Sequence, residues 1–371
     1  MTIVLPEVNF LTTDPDALTN ELIFSYEELE GRKLAQADPL RIIFLSVASF
    51  ITKQNIAIND GARQNLLYYA KDNVLDHKGA ELRTPRLLET AAKTTMRFYV
   101  SENLTSSRII TKGALVTSNE AIVFFEAEED TIIPLNTEYV DIEFICTTKG
   151  PSGNGFGLGQ LNTLVKPLAF ISKVENITVS NGGAEAESDD AYRERVHLAP
   201  ESFSNAGSEG AYEYFAKSAS ALINDVYVYM PTPGLVNISV LLQNGELPTQ
   251  EIIEAVYEKC NAKYVRPLTD FVTVEAPEII NYDLNVTYYI EANAVDKTLI
   301  HDKVTRAIDD YILWQASKIG RDINPSKLLS DIVKAGAKRA DIVSPAFTVV
   351  NRGQVAQIAN KTVVFGGVED D

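Results

Sequence analysis

The chain has 371 residues, 45% of them hydrophobic, and a formal net charge of −18. Such a length predicts two or three domains of roughly 100–150 residues. The charge argues against a nucleic-acid or anionic-membrane surface, since both need a Lys/Arg excess. It fits a soluble protein kept apart from its own copies until a specific partner engages it, and equally a surface that is acidic for solubility alone.

The two cysteines, Cys146 and Cys260, stand far apart and outside any CxxC pattern. No disulfide framework is expected, and a reducing site of synthesis is. The start, MTIVLPEVNF, lacks the basic residues of a signal peptide. The longest apolar run, Ile42 to Ile51, is about ten residues, against roughly 20 for a membrane span. It reads as a buried helix, and no membrane insertion is expected.

Residues 1–93 read as a helical region. Asp14-Pro15 starts a helix, with Asp14 as N-cap and Pro15 in the first turn, and Gly31 stops it. Asp38-Pro39 repeats the signal. Beyond it, Leu40, Ile43, Phe44, Val47, Phe50 and Ile51 recur at helical spacing and form one broad apolar face. Asp60-Gly61 is expected to break that helix, and a third helical piece ends near Gly79. Either these helices close into a bundle of their own, or one apolar stripe is left for a partner to cover.

Residues 94–186 change to period two. TTMRFYV, ALVTS, AIVFFEAE, EYVDIEFICTT and ENITVS are rich in β-branched and aromatic residues and bounded by Gly, Pro and Asn. They predict a central antiparallel β domain, sandwich or barrel. The segment TIIPL from Thr131 holds a proline and reads as an edge strand or none.

From residue 187 helix and strand alternate. Helices are expected at 188–197, 208–220, 249–263, 296–316 and 325–336, and strands at 225–230, 235–242, 271–276, 281–291, 346–350 and 361–365. The order echoes itself, predicting two similar α+β modules, 187–276 and 277–371, with one larger mixed sheet as the alternative. The fold class is thus multidomain α+β. The tail GGVEDD reads as disordered.

The stretch NGGAEAESDDAYRERV joins the β domain to the α+β region. Gly182 and Gly183 make a bend cheap and read as a hinge. Ser188 reads as an N-cap, with Asp189 and Asp190 favoured by the helix dipole and Arg193 four residues beyond Asp189. A second constrained stretch is VRPLTDFVTV. There Pro267 stops a helix, Thr269 and Asp270 bond to nearby backbone, and Arg266 pairs with Asp270 across a helix-to-strand turn.

Chemistry is sparse. PSGNGFGLGQ lacks the GxGxxG spacing of a dinucleotide site and reads as a loop between strands. GxxxxGK[ST], HExxH and GxSxG patterns do not occur. His77, His197 and His301 are scattered, and Glu194 beside His197 supplies too few ligands for zinc. Glu126, Glu128, Glu129 and Asp130 lack calcium-loop spacing and read as a solvated hairpin rim. No catalytic residue, cofactor or metal is expected.

Three separated motifs, GGAEAESDDAYRERV, GSEGAYEYFAKSAS and VRPLTDFVTVEAP, resemble in order and spacing the baseplate J family of contractile-tailed phages and related injection particles. The likeness spans roughly residues 80 to 371, the β domain included. It implies a non-enzymatic wedge protein of the baseplate, made in the bacterial cytoplasm, that links wedges into a ring around the central hub and tube. Implied partners are a second copy, a smaller wedge protein, and other baseplate, hub and sheath-initiating proteins. The N-terminal helices would join a bundle with partners, which fits an uncovered apolar face. The rival is a tail-associated protein that binds carbohydrate or acts on the cell envelope, for which the acidic rim is the feature to test.

Overall fold

The computed structural model describes residues 5–101, 104, 106–118, 122–203 and 207–370. It divides into two compact units, Met1–Pro85 and Arg86–Asp371.

The first unit holds helices α1 (Pro15–Glu30), α2 (Leu40–Arg63) and α3 (Asp72–Glu81). The Asp14 carboxylate accepts the N–H groups of Asp16 and Ala17, and Gly31 closes α1 at φ +68°. The break expected at Asp60-Gly61 does not occur, and α2 runs through to Arg63. A helical glycine costs only about 1 kcal/mol, and the turns around it are clamped. Buried Asn59 accepts from the N–H groups of Phe10 and Leu11 and donates to the Leu11 carbonyl. Asn55 donates to the Thr12 carbonyl and Arg63 to that of Val8. The third helix starts at Asp72 and ends at Glu81, two residues beyond the expected stop at Gly79.

The second unit opens with strands β1 (Ala91–Val100), β2 (Arg108–Ile110), β3 (Leu115–Ser118), β4 (Phe124–Ala127), β5 (Thr131–Ile133), β6 (Tyr139–Lys149), β7 (Leu161–Leu164) and β8 (Ile171–Asn176). Six of them form an antiparallel sheet in the order β7-β3-β4-β6-β1-β8. Its ends meet, because Gly159 donates to the Asn176 carbonyl and Leu161 to the Asn176 side chain. The result is a nearly closed barrel. Met96 and Phe98 point inward, and Phe98 packs on Phe144 with ring centroids 5.5 Å apart. Outward-facing Arg97 pairs with its cross-strand neighbour Asp141 at 2.7 and 2.8 Å. The guanidinium holds the Asp141 carboxyl below the usual carboxylate range. β5 pairs only with β2, so the proline-bearing segment is an edge strand.

Two sequence expectations shift here. The strand expected in ENITVS ends at Asn176, whose side chain turns to the carbonyls of Gly157 and Thr178 and breaks the run. Ala121, expected to open a strand, lies outside the described residues.

Then come α4 (Asp189–Leu198), α5 (Glu209–Lys217), β9 (Ile223–Thr232), β10 (Leu235–Leu242), α6 (Gln250–Cys260) and β11 (Phe271–Glu275). Next are β12 (Glu278–Glu291), α7 (Lys297–Ala316), α8 (Pro325–Lys334), β13 (Arg339–Ser344) and β14 (Gln354–Glu369). The strands make two separate three-stranded sheets, β11-β10-β9 and β13-β12-β14. In each, the central strand has one antiparallel and one parallel neighbour. These are two α+β modules of similar build, with separate cores and a shared seam. At the seam Leu241, Ile319 and Val355 pack together. Asp225 accepts the Ile319 N–H at 2.9 Å, and burial raises its pKa.

The strand expected at 346–350 is absent apart from one bridge, Ile323 to Thr348. The pairing strand is β13, which stops before Pro345, a residue with no N–H to give. The tail is also ordered: β14 reaches Glu369, leaving Asp371 of GGVEDD outside the described residues. A Cβ at Gly366 would lie 2.4 Å from the Tyr289 ring, so only glycine lets the strand pass. Arg339 sits 3.7 Å from the same ring and pairs with Glu369.

Candidate assembly surfaces

In α2 the six residues of the expected face divide into two stripes. Leu40, Phe44 and Ile51 are half-buried on the inner stripe with Ala48 and Asn59, and Phe44 packs on Tyr26 of α1 at 5.4 Å. Ile43, Val47 and Phe50 face outward with Ile42 and Leu45; Ile42 is 69% and Phe50 64% exposed. The run expected to be buried is therefore largely uncovered. By length and composition alone α2 is also long and apolar enough to cross a membrane. Its inner stripe, however, carries Asn55, Asn59 and Arg63, all bonded to the chain at residues 8–12. One side of the helix is thus committed to protein.

The joint between barrel and α+β region is a two-stranded stem. Thr90 and Ala184 exchange backbone hydrogen bonds, and so do Lys93 and Asn181. The Thr90 hydroxyl donates to the Gly182 carbonyl. Gly182 has φ +84°, the conformation that calls for glycine. Gly183 is packed as well as bonded. Its N–H donates to the Asn154 side chain, its carbonyl accepts from the same amide, and a Cβ there would lie 2.4 Å from the Gly150 carbonyl. The pair expected to be a free hinge is a tied corner, because a second pass of chain runs antiparallel beside it.

Beyond the corner Ser188 caps α4 through the Ala191 N–H. Asp190 pairs with Arg193 at 2.6 Å and Asp189 with Arg86 at 2.7 Å. A buried ion pair underlies the cap. Arg195 grips both oxygens of Glu187 at 2.8 and 2.6 Å, with side chains only 3% and 5% exposed. The same carboxylate accepts the Leu87 N–H, and Arg86 donates to the Glu187 carbonyl and lies over the Tyr192 ring. Sequence reasoning missed this node. Glu187 and Arg195 are eight apart, a spacing without a local pattern, and only the fold brings Arg86 and Leu87 to them.

The helix-to-strand turn is pinned, though not as expected. Arg266 bonds to carbonyls rather than to a carboxylate, donating to Asn261, Pro267 and Asp270 at 3.0–3.2 Å. The Asp270 side chain turns inward and accepts the hydroxyls of Tyr212, at 2.9 Å, and Thr269. Burial, together with that aspartate, pushes the Tyr212 phenol far above its usual range. Gly207 lies so close that a Cβ would meet Asp270 and Pro267 below 3 Å. Nearby Cys260 is buried and its thiol pushed up to about 12 by desolvation, so it is inert packing.

The glycine loop packs on the barrel. Gly153 packs on Cys146 and Ala92, Gly155 donates to Ser180 and Gly159 to Asn176. In the acidic group, Glu128 pairs with Lys93 and Asp130 accepts the Lys112 N–H. His301 meets the Tyr288 hydroxyl and the Phe365 ring. Among the described residues no three His, Cys, Asp or Glu side chains are grouped to hold a metal.

Comparison with known proteins finds likenesses to baseplate proteins. Residues 95–183 match the profile of the Baseplate J-like protein barrel domain, and residues 204–276 that of the Baseplate J-like central domain. Baseplate protein J of Escherichia phage P2 is 32% identical over 202 residues, which are 54% of this chain and 66%, just under two thirds, of that protein. A chain in the cryo-EM structure of the anti-feeding prophage baseplate, 6-fold symmetrised, overlays 92% of this chain and 90% of its own. Its TM-score is 0.43 at 13% identity, too loose a likeness to argue from.

Proposed function

We propose that the chain is a member of the baseplate J family and a structural component of the baseplate of a contractile tail or injection particle. The observation that carries the reading is the phage P2 relationship, together with two family domains in order along one chain. The polar clusters of the barrel, stem and turn support a role without catalysis, since their side chains are spent on capping, ladders and packing.

The finer reading is that copies act as wedge parts and close into a ring around the hub and tube, beside a second copy, a smaller wedge protein and other baseplate, hub and sheath-initiating proteins. Permanent contacts of that kind commonly bury more than about 2,000 Å² with an apolar centre, and head-to-tail contacts form rings when the rotation closes. The outward stripe of α2, with Ile43, Val47 and Phe50, supplies one such centre. We place the division of labour at the boundaries 1–93, 94–186, 187–276 and 277–371. Gly182 and Gly183 would bend between copies only where assembly opens the stem bonds that hold them.

The test is electron microscopy of particles from producing cells that lack this chain. Loss of assembled baseplates, restored by supplying the chain, is the expected result. Complete, contractile particles without it would overturn the proposal.

A further inference from the structure

The helices that pack on the sheet of the second α+β module are charged against the rest of the chain. Residues 297–339, from α7 through α8 to the start of β13, carry nine Lys or Arg and five Asp, a net +4 in a chain whose total is −18. Part of this excess gathers in a groove of about 440 Å³ between the two helices. Lys303, Arg306 and Asp310 wall it on α7, and Lys334 on α8. The spacings of three and four put the α7 side chains on one face of their helix.

Acids outnumber bases 51 to 33, so a base on this chain has many carboxylates within reach. Arg97 holds Asp141, Lys217 holds Glu213, and Arg339 holds Asp341 and Glu369. In the groove Lys327 does the same, on Asp331 at 2.5 Å, and lies over the Trp314 ring. Lys303, Arg306 and Lys334 differ. They are exposed and make no ion pair among the described residues, although Asp310 stands one turn beyond Arg306. Three uncommitted bases thus share one groove on an acidic molecule.

The shape and charge of the groove indicate its occupant. Ala307 and Ala335 also line it, half-buried and short, so the backbone of a third element can come close. A helix suits that space, because helices pack their side-chain ridges into such grooves. Carboxylates three or four residues apart on a helix stand about 5–6 Å from each other. Lys303 and Arg306 have the same spacing, and Lys334 meets the occupant from the other wall. A nucleic acid suits it less. Asp310 is exposed in the same groove, and three free bases fall short of the roughly 6–10 phosphate contacts of a nucleic-acid surface.

We infer that the groove between α7 and α8 is a docking site for an acidic helix of a partner protein, held by Lys303, Arg306 and Lys334. The groove lies beyond both segments that match baseplate profiles, and the inference does not depend on the baseplate reading.

Fluorescence anisotropy with the full chain and three labelled probes tests it. The probes are an alanine-based helical peptide with Glu at three- and four-residue spacing, the same peptide with Gln for every Glu, and a single-stranded DNA of equal length. The Glu peptide is expected to bind and the Gln peptide is not. Binding should weaken steeply as salt rises from about 0.01 to 0.15 M, over which the screening length falls from about 30 to 8 Å. The combined variant Lys303→Glu, Arg306→Glu, Lys334→Glu should raise the dissociation constant for the Glu peptide at least about tenfold, because like charges then face each other. The same charge change at exposed sites elsewhere, Lys112→Glu, Lys166→Glu, Lys263→Glu, should alter it far less. The thermal midpoint of the groove variant should stay unchanged, since its three side chains make no ion pair; should it fall, Lys303→Gln, Arg306→Gln, Lys334→Gln replaces it as the reporter. A Glu peptide that does not bind would overturn the inference, and so would equal weakening by the groove and control variants. DNA that binds more tightly than the peptide, and is lost in the groove variant, would give the groove to a nucleic acid and overturn it as well.

Discussion

The barrel and the N-terminal helical unit treat their apolar residues in opposite ways. The barrel buries Met96, Phe98, Phe125 and Phe144 completely. The long helix α2 turns Ile42, Ile43, Val47 and Phe50 outward and keeps Asn59 inside. A closed sheet satisfies both its backbone and its core without outside help. A helix satisfies its backbone internally, so it can be stable enough to form while its second face waits for a partner. Apolar periodicity therefore marks a surface to be covered and does not say by what.

Substitutions test that contrast. The largest effect is expected from Phe144→Ala in the barrel. Removing a fully buried ring that packs on Phe98 should cost about 3–5 kcal/mol in denaturant-induced unfolding. Arg195→Ala should approach the same size, because it strands the buried Glu187 carboxylate at about 3–5 kcal/mol. Replacing both partners by apolar residues of matching volume should recover much of that loss, and failure to recover it would show that the pair holds the stem by more than charge. Gly183→Ala comes next. Its Cβ meets the Gly150 carbonyl, and a cost of about 1–3 kcal/mol is expected from the forced shift. An unchanged midpoint would mean the corner yields freely and is the hinge its glycines imply. In the helical unit, Asp14→Ala should cost about 1 kcal/mol by removing the cap on α1. The smallest effect is the sharpest. Phe50→Ser should leave the stability of the isolated chain within about 0.5 kcal/mol, while reducing incorporation into particles. A large loss of stability would show that this face already has a partner within the chain.

Much of the fold was legible. The capping pairs Asp14-Pro15 and Ser188-Asp189 marked helix starts to within a residue, since a cap is a local arrangement of side chain and backbone. The alternation in TTMRFYV assigned β1 its inward and outward sides for a similar reason. The misses have a common cause. Asp60-Gly61 looked like a stop, but Asn59 and Arg63 hold the helix through it with bonds to residues some 50 positions earlier. GGVEDD looked like a free tail, but its glycine is what lets β14 pass the Tyr289 ring. Gly182 and Gly183 looked like a free bend, and a returning strand ties them down. In VRPLTD the constraint was visible and its direction was not: Arg266 took carbonyls and left Asp270 to Tyr212.

The sequence by itself determined the order of helical, β and α+β regions and the positions of most elements. Each of these depends on local propensity, period and spacing, which are written in consecutive residues. Tertiary structure alone decided which apolar residues remain outside, that Glu187, Arg195, Arg86 and Leu87 meet, and that Arg266 takes carbonyls while Asp270 turns to Tyr212. Those outcomes depend on which distant segments come to lie side by side, and burial and pairing exist only once they do.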